Sequence, residues 1–320
     1  MNISVKLDRE ENDFTRIRKL GTTNLLVSRI GLGTVALGLD YGIPIQGSKR
    51  KPGAQDAMLI LQSALDMGVR LIDTARTYGE SEEIIGKAIG HRRREYVLAS
   101  KVMPFPAEPE RVRESVKKSL RALQTDVIDL MQIHCSVTDK LPDPSTTEAL
   151  LQLKRSGEIR HLGASVYGEE AGLAAMATGH FDCLQVAYNA LDRRPRNALL
   201  PIAAKTRMGI LARSVLMKGA LTERVDQLPE EFVSLRMAVR ELERLAADEV
   251  ECLPELAYRY ALSEPAIDSV LAGVTSIREL EQSLRWADRG PLSPQLLDRI
   301  RVLPMLPEQI LTPAYWPALS

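Results

Sequence analysis

The residues best suited to chemistry stand at the ends of predicted strands. Asp73, Lys101 and His134 each end one of three successive apolar runs, and Tyr78 lies in the segment after the first run. A carbonyl oxygen that accepts a hydride becomes an alkoxide and needs a proton. A tyrosine is a weak acid because its unperturbed pKa is about 10, but a neighbouring ammonium group stabilises the phenolate. These residue types therefore suit proton delivery during carbonyl reduction.

Each of these side chains would have its own role in such a reaction. Lys101 would support Tyr78 as the acid, and Asp73 would keep the lysine charged and in place. His134 would donate a hydrogen bond to the carbonyl oxygen. Singly, the four residues also suit structural roles: a turn cap, a surface lysine, a lid tyrosine and a core histidine. Because three of them end successive strands, the chemical interpretation is favoured.

Short apolar runs alternate with amphipathic stretches along most of the chain. The predicted strands are 28–32, 70–73, 96–101, 127–134, 161–165, 183–187, 209–214 and 268–272. The predicted helices are 55–67, 81–89, 109–123, 144–156, 169–178, 196–207, 232–247 and 277–288. Strands that are apolar throughout are typical of parallel sheets covered on both faces. Because no linker divides the repeats, we predict a single α/β domain, a closed (β/α)8 TIM barrel; an open doubly wound sheet is the alternative.

Further segments flank or interrupt the repeat. The turn-forming residues 21–24 predict an N-terminal β-hairpin. The polar residues 1–15 are expected to be flexible, which leaves the barrel domain at 16–320. The N-terminal stretch has no apolar core, so no signal peptide is expected. A long loop is expected at 39–53, and a tail with six prolines at 289–320.

The composition argues against several classes of protein. Lys plus Arg and Asp plus Glu both number 42 among 320 residues, and this zero net charge argues against nucleic acid as a partner. No run of about 18 apolar residues is present, so no membrane span is predicted. The three cysteines are far apart and the other histidines lack metal-ligand spacing, so we expect neither disulfides nor a metal. A reduced, cytoplasmic protein that acts on a small molecule is expected.

One glycine-rich motif fits a dinucleotide-binding fingerprint. Residues 31–36, Gly-Leu-Gly-Thr-Val-Ala, match G-x-G-x-x-G/A after a predicted strand. No helix is expected to follow, because Gly38, Gly42 and Pro44 interrupt the next turns. The acidic residue that a Rossmann fold places about 20 residues later is also missing. We therefore predict no Rossmann domain.

Three motifs together resemble the aldo-keto reductase superfamily over nearly the whole chain. Residues 71–82 are similar to the family signature D-T-A-x-x-Y-G-x-S-E, and residues 99–101 and 129–134 are similar to its lysine and histidine motifs. The resemblance implies reversible hydride transfer between NAD(P)H and an aldehyde or ketone. The implied catalytic residues are Asp73, Tyr78 as general acid and base, Lys101 and His134.

The resemblance also implies a nicotinamide dinucleotide lying extended across the barrel mouth. The implied contacts are Gly33, Thr34, Asp73, Ser165, Gln185, Arg213, Ser214, Leu216, Lys218, Gly219, Gly273, Thr275, Ser276, Arg278, Glu279 and Ser283. Ser165 and Gln185 would hold the carboxamide, residues 213–219 would wrap the pyrophosphate, and residues 273–280 would bind the adenosine phosphate. A helix N-terminus suits a phosphate because its backbone N–H groups are free.

Several positions depart from the family pattern. Val166 and Ser283 stand where many members carry asparagine, and Arg213 stands where many carry a tyrosine that stacks on the nicotinamide. A guanidinium can also stack on a ring or pair with phosphate. The resemblance implies NADP(H) in preference to NAD(H), although Glu279 would repel a 2′-phosphate.

Two other functions remain open from the sequence. A nicotinamide-nucleotide-binding regulatory module with little turnover would be similar to the channel-associated members of the family. A barrel hydrolase or lyase would use paired carboxylates from Asp73, Glu80 and Glu82. The two glutamates also suit a helix start, where the helix dipole stabilises acids.

Overall fold

Eight parallel strands form a closed barrel and follow one another in chain order. The computed structural model describes residues 16–44 and 51–317. An antiparallel hairpin of β1 (Ile17–Lys19) and β2 (Leu26–Ser28) precedes the barrel. The barrel strands are β3 (Ile30–Gly33), β4 (Leu71–Asp73), β5 (Val97–Val102), β6 (Ile128–His134), β7 (Ile159–Ser165), β8 (Cys183–Ala187), β9 (Gly209–Arg213) and β10 (Ser269–Gly273). The predicted TIM barrel with an N-terminal hairpin is confirmed.

Helices surround the barrel and continue into the C-terminal segment. They are α1 (Val35–Gly38), α2 (Ala54–Asp66), α3 (Ser81–Ile89), α4 (Pro109–Ala122), α5 (Pro144–Ser156), α6 (Gly168–Ala177), α7 (Leu199–Thr206), α8 (Val233–Ala246), α9 (Leu253–Leu262), α10 (Ile277–Asp288), α11 (Pro294–Arg301) and α12 (Glu308–Leu311). Within the described residues, no helix is long and apolar enough to cross a membrane. The segment 1–15, predicted to be flexible, and part of the predicted loop 39–53 lie outside the described residues.

Three helices differ from the sequence-based expectation. The helix predicted at 196–207 begins only at Leu199, after a 3-10 turn over Arg194–Arg196. This start places Pro201, which has no N–H to donate, in the first turn, where no intrahelical bond is lost. The sequence pattern does not indicate α9, because nearly all its residues are buried and it lacks a polar face. The tail likewise contains α11, whose first residue is Pro294.

A one-turn helix, α1, follows the glycine-rich motif, which corrects the expectation that no helix follows it. It has four residues and ends at Gly38, so it is far shorter than a dinucleotide-binding helix. A Cβ atom at Gly38 would overlap the carbonyl oxygen of Tyr78. Glycine at this position therefore lets α1 pack directly against the segment that carries Tyr78.

The strands present alternate residues to two different hydrophobic cores. Leu71, Leu130, Leu211 and Leu271 pack inside the barrel with the hairpin residue Leu20. Their strand neighbours pack outward against the helices in the larger core. Because side chains alternate along a strand, the residues two positions after these leucines also point inward. The barrel interior is thus apolar near the hairpin and polar at the C-terminal edge of the strands.

Candidate active site

A buried ion pair lies at the C-terminal edge of the barrel. Asp73 ends β4, Lys101 lies in β5, and both are almost fully buried. Lys101 Nζ donates to Asp73 Oδ2 at 2.5 Å and to the carbonyl oxygen of Thr74 at 2.9 Å. Burial alone would lower the pKa of Lys101, but Asp73 and Tyr78 outweigh it and raise that pKa above its usual value. Lys101 is therefore an ammonium ion fixed inside the barrel.

Two buried glutamines complete the surroundings of Asp73. Gln185 Nε2 donates to Asp73 Oδ1 at 2.8 Å, and Gln132 Nε2 donates to the same oxygen at 3.2 Å. The resemblance expects the Gln185 amide to hold a carboxamide, whereas here it joins the network around Asp73. Gln132 is absent from the predicted site residues. Its signal is its position two residues before His134, on the same side of β6.

Tyr78 and His134 meet edge to face at the mouth. Their ring centroids are 5.8 Å apart, and Lys101 Nζ lies 4.9 Å from the centroid of the Tyr78 ring. Burial, with the nearby charges of Lys101 and Arg213, lowers the pKa of His134 to about 3. The imidazole is therefore neutral, and its Nδ1 lies 3.3 Å from Thr77 Oγ1. The structure thus brings together the four residues expected to be catalytic.

The loop that carries Tyr78 is tied to α3 by a buried carboxylate. Glu82 accepts hydrogen bonds from Ser100 Oγ at 2.7 Å and from Arg76 Nη1 at 2.5 Å. Arg76 lies within the loop, two residues before Tyr78. From the sequence, Glu82 is expected either at a helix start or in a carboxylate pair, and neither expectation includes this contact. The last residues of the signature motif therefore hold the loop in place.

The paired-carboxylate alternative receives no geometric support. Glu80 is exposed, and its Oε2 lies 2.6 Å from Lys51 Nζ, while Glu82 is engaged by Arg76. The two oxygens of Asp73 accept hydrogen bonds from the lysine and the two glutamines. Among the residues that the structure describes, no group of three or more His, Cys, Asp or Glu is placed to hold a metal ion.

The other residues expected near the nicotinamide lie around the barrel rim. Ser165 ends β7, is buried, and is in register with Gln185 of β8. Gly33 ends β3 in register with Asp73. Thr34 is fully buried, and its hydroxyl donates to the carbonyl oxygen of Asp73 at 2.9 Å. Thr34 is therefore engaged within the protein.

The loop after β9 has an unusual backbone. Ser214, Met217 and Lys218 have φ angles of 58°, 47° and 59°, and Gly219 has a φ of 105°. Positive φ is uncommon for residues other than glycine, and such strain clusters at ligand sites. Leu216 is half-buried against the outer core. This loop forms one rim of the mouth.

Arg213, at the end of β9, turns toward the loop that follows β7. Its Nη2 donates to the carbonyl oxygen of Val166 at 2.9 Å, and its Nη1 donates to Ser214 Oγ at 3.1 Å. Its Cζ lies 4.3 Å from the ring centroid of Tyr167. The guanidinium thus bridges the ends of β7 and β9, where the resemblance expects an aromatic ring.

The N-terminus of α10 is closed by its own side chains. Ser276 Oγ accepts the N–H of Glu279 at 3.2 Å, and Glu279 Oε2 accepts the N–H of Thr275 at 2.7 Å. This arrangement is similar to a capping box, except that the carboxylate of Glu279 accepts the N–H of the residue before the N-cap Ser276. Ser283 is buried, and its hydroxyl donates to the carbonyl oxygen of Glu279 at 2.8 Å. The other predicted contacts of this segment, Gly273 and Arg278, are exposed.

These contacts define what the site can do. A phenol lies beside a fixed ammonium ion and a neutral imidazole in a largely buried mouth. Such a phenol can give its proton to an oxygen that gains negative charge, because the ammonium ion stabilises the phenolate left behind.

Comparisons of this chain with a family model, with curated proteins and with solved structures all indicate the same family. Residues 29–303 match the model of the Aldo/keto reductase family. The chain is 32% identical over 301 residues to the uncharacterized oxidoreductase YqkF of Bacillus subtilis, covering 87% of this chain and 93% of that protein. It is 28% identical over 305 residues to the NADH-specific methylglyoxal reductase of Escherichia coli, covering 83% and 91%. The solved holo form of aldo-keto reductase AKR11C1 from Bacillus halodurans matches with a TM-score of 0.75 and 26% identity, covering 93% of this chain and 99% of that chain.

Proposed function

The chain belongs to the aldo/keto reductase family of oxidoreductases, and from that premise we propose that it transfers a hydride between NAD(P)H and an aldehyde or ketone. The observation that supports this most directly is the buried Asp73–Lys101 pair beside the ring of Tyr78.

In the proposed reaction, Tyr78 gives its proton to the carbonyl oxygen of the substrate. Lys101 stabilises the resulting phenolate, and Asp73 holds the ammonium group in place. His134, being neutral, donates a hydrogen bond that orients the carbonyl group. Oxidation of an alcohol runs the same steps in reverse, with Tyr78 accepting the proton.

The mouth has the features that a nicotinamide dinucleotide requires. Bound there, the dinucleotide would supply the hydride. Ser165 and Gln185 would contact the nicotinamide end, and the strained loop 214–219 would contact the pyrophosphate. The N–H of Thr275 donates to the carboxylate of Glu279, so this segment has a backbone donor directed at a negatively charged group.

We propose NADP(H) as the preferred cofactor. The negative charge of Glu279 is directed onto Thr275 rather than outward, which leaves the exposed Arg278 to meet a 2′-phosphate. A parallel assay with NADPH and NADH measures the preference, with a larger kcat/KM expected for NADPH. A preference for NADH would indicate that Glu279 determines selection at this position.

The proposed acid is tested by Tyr78→Phe, with a reactive aromatic aldehyde as substrate and nicotinamide absorbance as the signal. Loss of the proton donor should lower kcat by about 10²–10⁴-fold. Nucleotide binding, followed by tryptophan fluorescence, should persist. Tyr96→Phe is the matched control, because Tyr96 precedes β5 and so lies at the opposite end of that strand from Lys101. Unchanged turnover in Tyr78→Phe would exclude the proposed mechanism, and nucleotide binding without turnover in the unmodified protein would favour the regulatory module.

A further inference from the structure

One cation at the mouth has no acidic partner. Arg213 has five N–H donors, and two hydrogen bonds, to Val166 and Ser214, are formed. Among residues 16–44 and 51–317, no carboxylate forms an ion pair with it. Stacking on Tyr167 and these two bonds fix the plane of the guanidinium. A fixed, planar fork with unused donors is suited to a planar anion.

The other charges around Arg213 are already balanced. Asp73 and Lys101 neutralise each other, and His134 is neutral. Arg213 also lines a cavity bounded by the ends of β7, β8 and β9 and by the tail at 311–313. The acid of that cavity, Asp192, is held by two hydrogen bonds of 2.7 Å from Arg194. Arg213 is therefore a positive charge at the mouth with no acidic partner among the described residues.

This charge lies close to the proposed reacting groups. Arg213 donates to the carbonyl oxygen of Val166, and the residue before it, Ser165, is in register with His134, so the guanidinium lies beside the strand end that carries the imidazole. Because His134 is expected to contact the carbonyl oxygen, an anion on Arg213 would belong to the same bound molecule.

We propose that Arg213 selects carbonyl substrates that carry a carboxylate, by binding the carboxylate through its guanidinium. This inference rests on the proposed function, because it assumes a carbonyl group at Tyr78 and His134. The same donors would also suit the pyrophosphate of the nucleotide. The guanidinium, however, reaches across to Val166 and Tyr167 on the β7 side, and its hydrogen bond to the loop 214–219 is the one to Ser214.

The test compares 2-, 3- and 4-carboxybenzaldehyde with their methyl esters as substrates of the full chain. For at least one isomer, kcat/KM should be tenfold or more above that of its ester. Arg213→Gln should remove this advantage: the ratio of kcat/KM for the carboxylate to kcat/KM for its ester should fall to about one, whatever the variant does to both values together. Arg213→Lys keeps the charge without the planar fork and should retain only part of the advantage. Arg244→Gln removes an exposed arginine of α8 and should change nothing.

A second readout does not depend on turnover. Benzoate should bind to the unmodified protein in a calorimetric titration and bind at least tenfold more weakly to Arg213→Gln, whereas benzamide should bind both equally. The affinity of benzoate should fall as the salt concentration rises, because salt screens the interaction.

The outcomes separate this inference from the proposed function. Reduction of the esters with no preference for any carboxylate isomer overturns the role of Arg213 and leaves the reductase assignment in place. An Arg213→Gln variant that keeps the preference but loses nucleotide affinity also overturns it, since the guanidinium then serves the pyrophosphate. If no aldehyde is reduced with either nucleotide, the proposed function fails, and the benzoate titration alone decides whether Arg213 binds carboxylates.

Discussion

At the scale of single residues, the charged groups of the site are different from the group that is proposed to donate the proton. Lys101 holds a permanent positive charge against Asp73, and His134 is held neutral by burial and by the cations beside it. These two charges leave Tyr78 as the proton donor of the proposed reaction. A histidine whose pKa lies far below neutrality can orient a substrate through a hydrogen bond but does not act as an acid.

We predict that His134 contributes no ionisation to the pH profile of carbonyl reduction between pH 5 and 8. Its pKa of about 3 lies below that range, so the imidazole stays neutral throughout. His134→Gln keeps a hydrogen-bond donor, and we expect it to lower kcat about tenfold without changing the shape of the profile. Steady-state kcat/KM measured across this range for both proteins checks the prediction. An acidic limb present in the unmodified protein and absent from the variant would contradict it.

The site residues that can be predicted from the sequence are those that stand at unusual positions in the sequence pattern. A charged side chain that ends an apolar strand is uncommon, and parallel strands share one edge, so Asp73 and Lys101 are expected to meet. Gln132 and Glu82 lack such a signal, because an amide within a strand and an acid at a helix start have ordinary explanations. Their contacts depend on strand register and on burial, which no local pattern shows.

At the scale of elements, the loop between β4 and α3 is held from two sides. Gly38 of α1 lies against the backbone of Tyr78, and Glu82 of α3 binds Arg76 of the same loop. The side chain of Glu82 is almost fully buried, whereas that of Arg76 is 35% exposed. The position of Tyr78 therefore depends on two helices that contribute no group to the reaction.

We predict that Glu82→Gln lowers kcat without weakening nucleotide binding. The change removes one partner of the ion pair and lets the loop shift, and a small misplacement of the acid should lower kcat by about tenfold. The free energy of unfolding should fall by about 1–3 kcal/mol, because a buried charged hydrogen bond is lost. Glu83→Gln is the matched control, since Glu83 is the next residue and is exposed. A variant that loses stability but keeps kcat would show that Glu82 is structural only.

The bounds of the strands and helices can be predicted from the sequence wherever the pattern of apolar and polar residues is distinct. The strands and most helices lie within a few residues of the predicted bounds, because an apolar strand or an amphipathic helix has a distinct pattern. Helix α9 has no such pattern: it is buried on nearly all sides, and its charged residues Glu255 and Arg259 pair with each other at 3.0 Å. Only the packing of the finished barrel explains why these charges lie inside.

At the scale of the whole molecule, the two ends of the barrel are built differently. The mouth carries the polar groups, while the other end is filled by the N-terminal hairpin. Asp268 joins the two parts there: its Oδ2 accepts the N–H of Gly21 in the hairpin at 3.1 Å and the N–H of Ile210 in β9 at 3.0 Å. The contacts that close the barrel and the residues of the candidate site therefore lie at opposite ends of the same strands.

This closure makes the stability of the protein depend on pH through Asp268. Burial raises the pKa of Asp268 to about 6, against the opposing effect of the two N–H groups and of Arg18 and Arg29. A raised pKa means that the native state binds the proton more tightly than the unfolded chain does. The stabilisation is therefore complete below the unfolded pKa and is lost as pH rises through the folded one.

We predict that Asp268→Asn becomes progressively more stable, relative to the unmodified protein, as pH rises. The asparagine oxygen can still accept both N–H bonds but never becomes charged, so the difference in unfolding free energy should grow by about 2 kcal/mol between pH 4.5 and 8. Urea denaturation at both pH values measures it. Asp143→Asn is the control: burial acts to raise the pKa of Asp143, but hydrogen bonds from Thr146 and Ser145 outweigh it and lower that pKa. Because none of these partners titrates between pH 4.5 and 8, the effect of this substitution on stability should be similar at both pH values. A constant difference for Asp268→Asn would mean that the carboxylate remains charged at the closed end of the barrel.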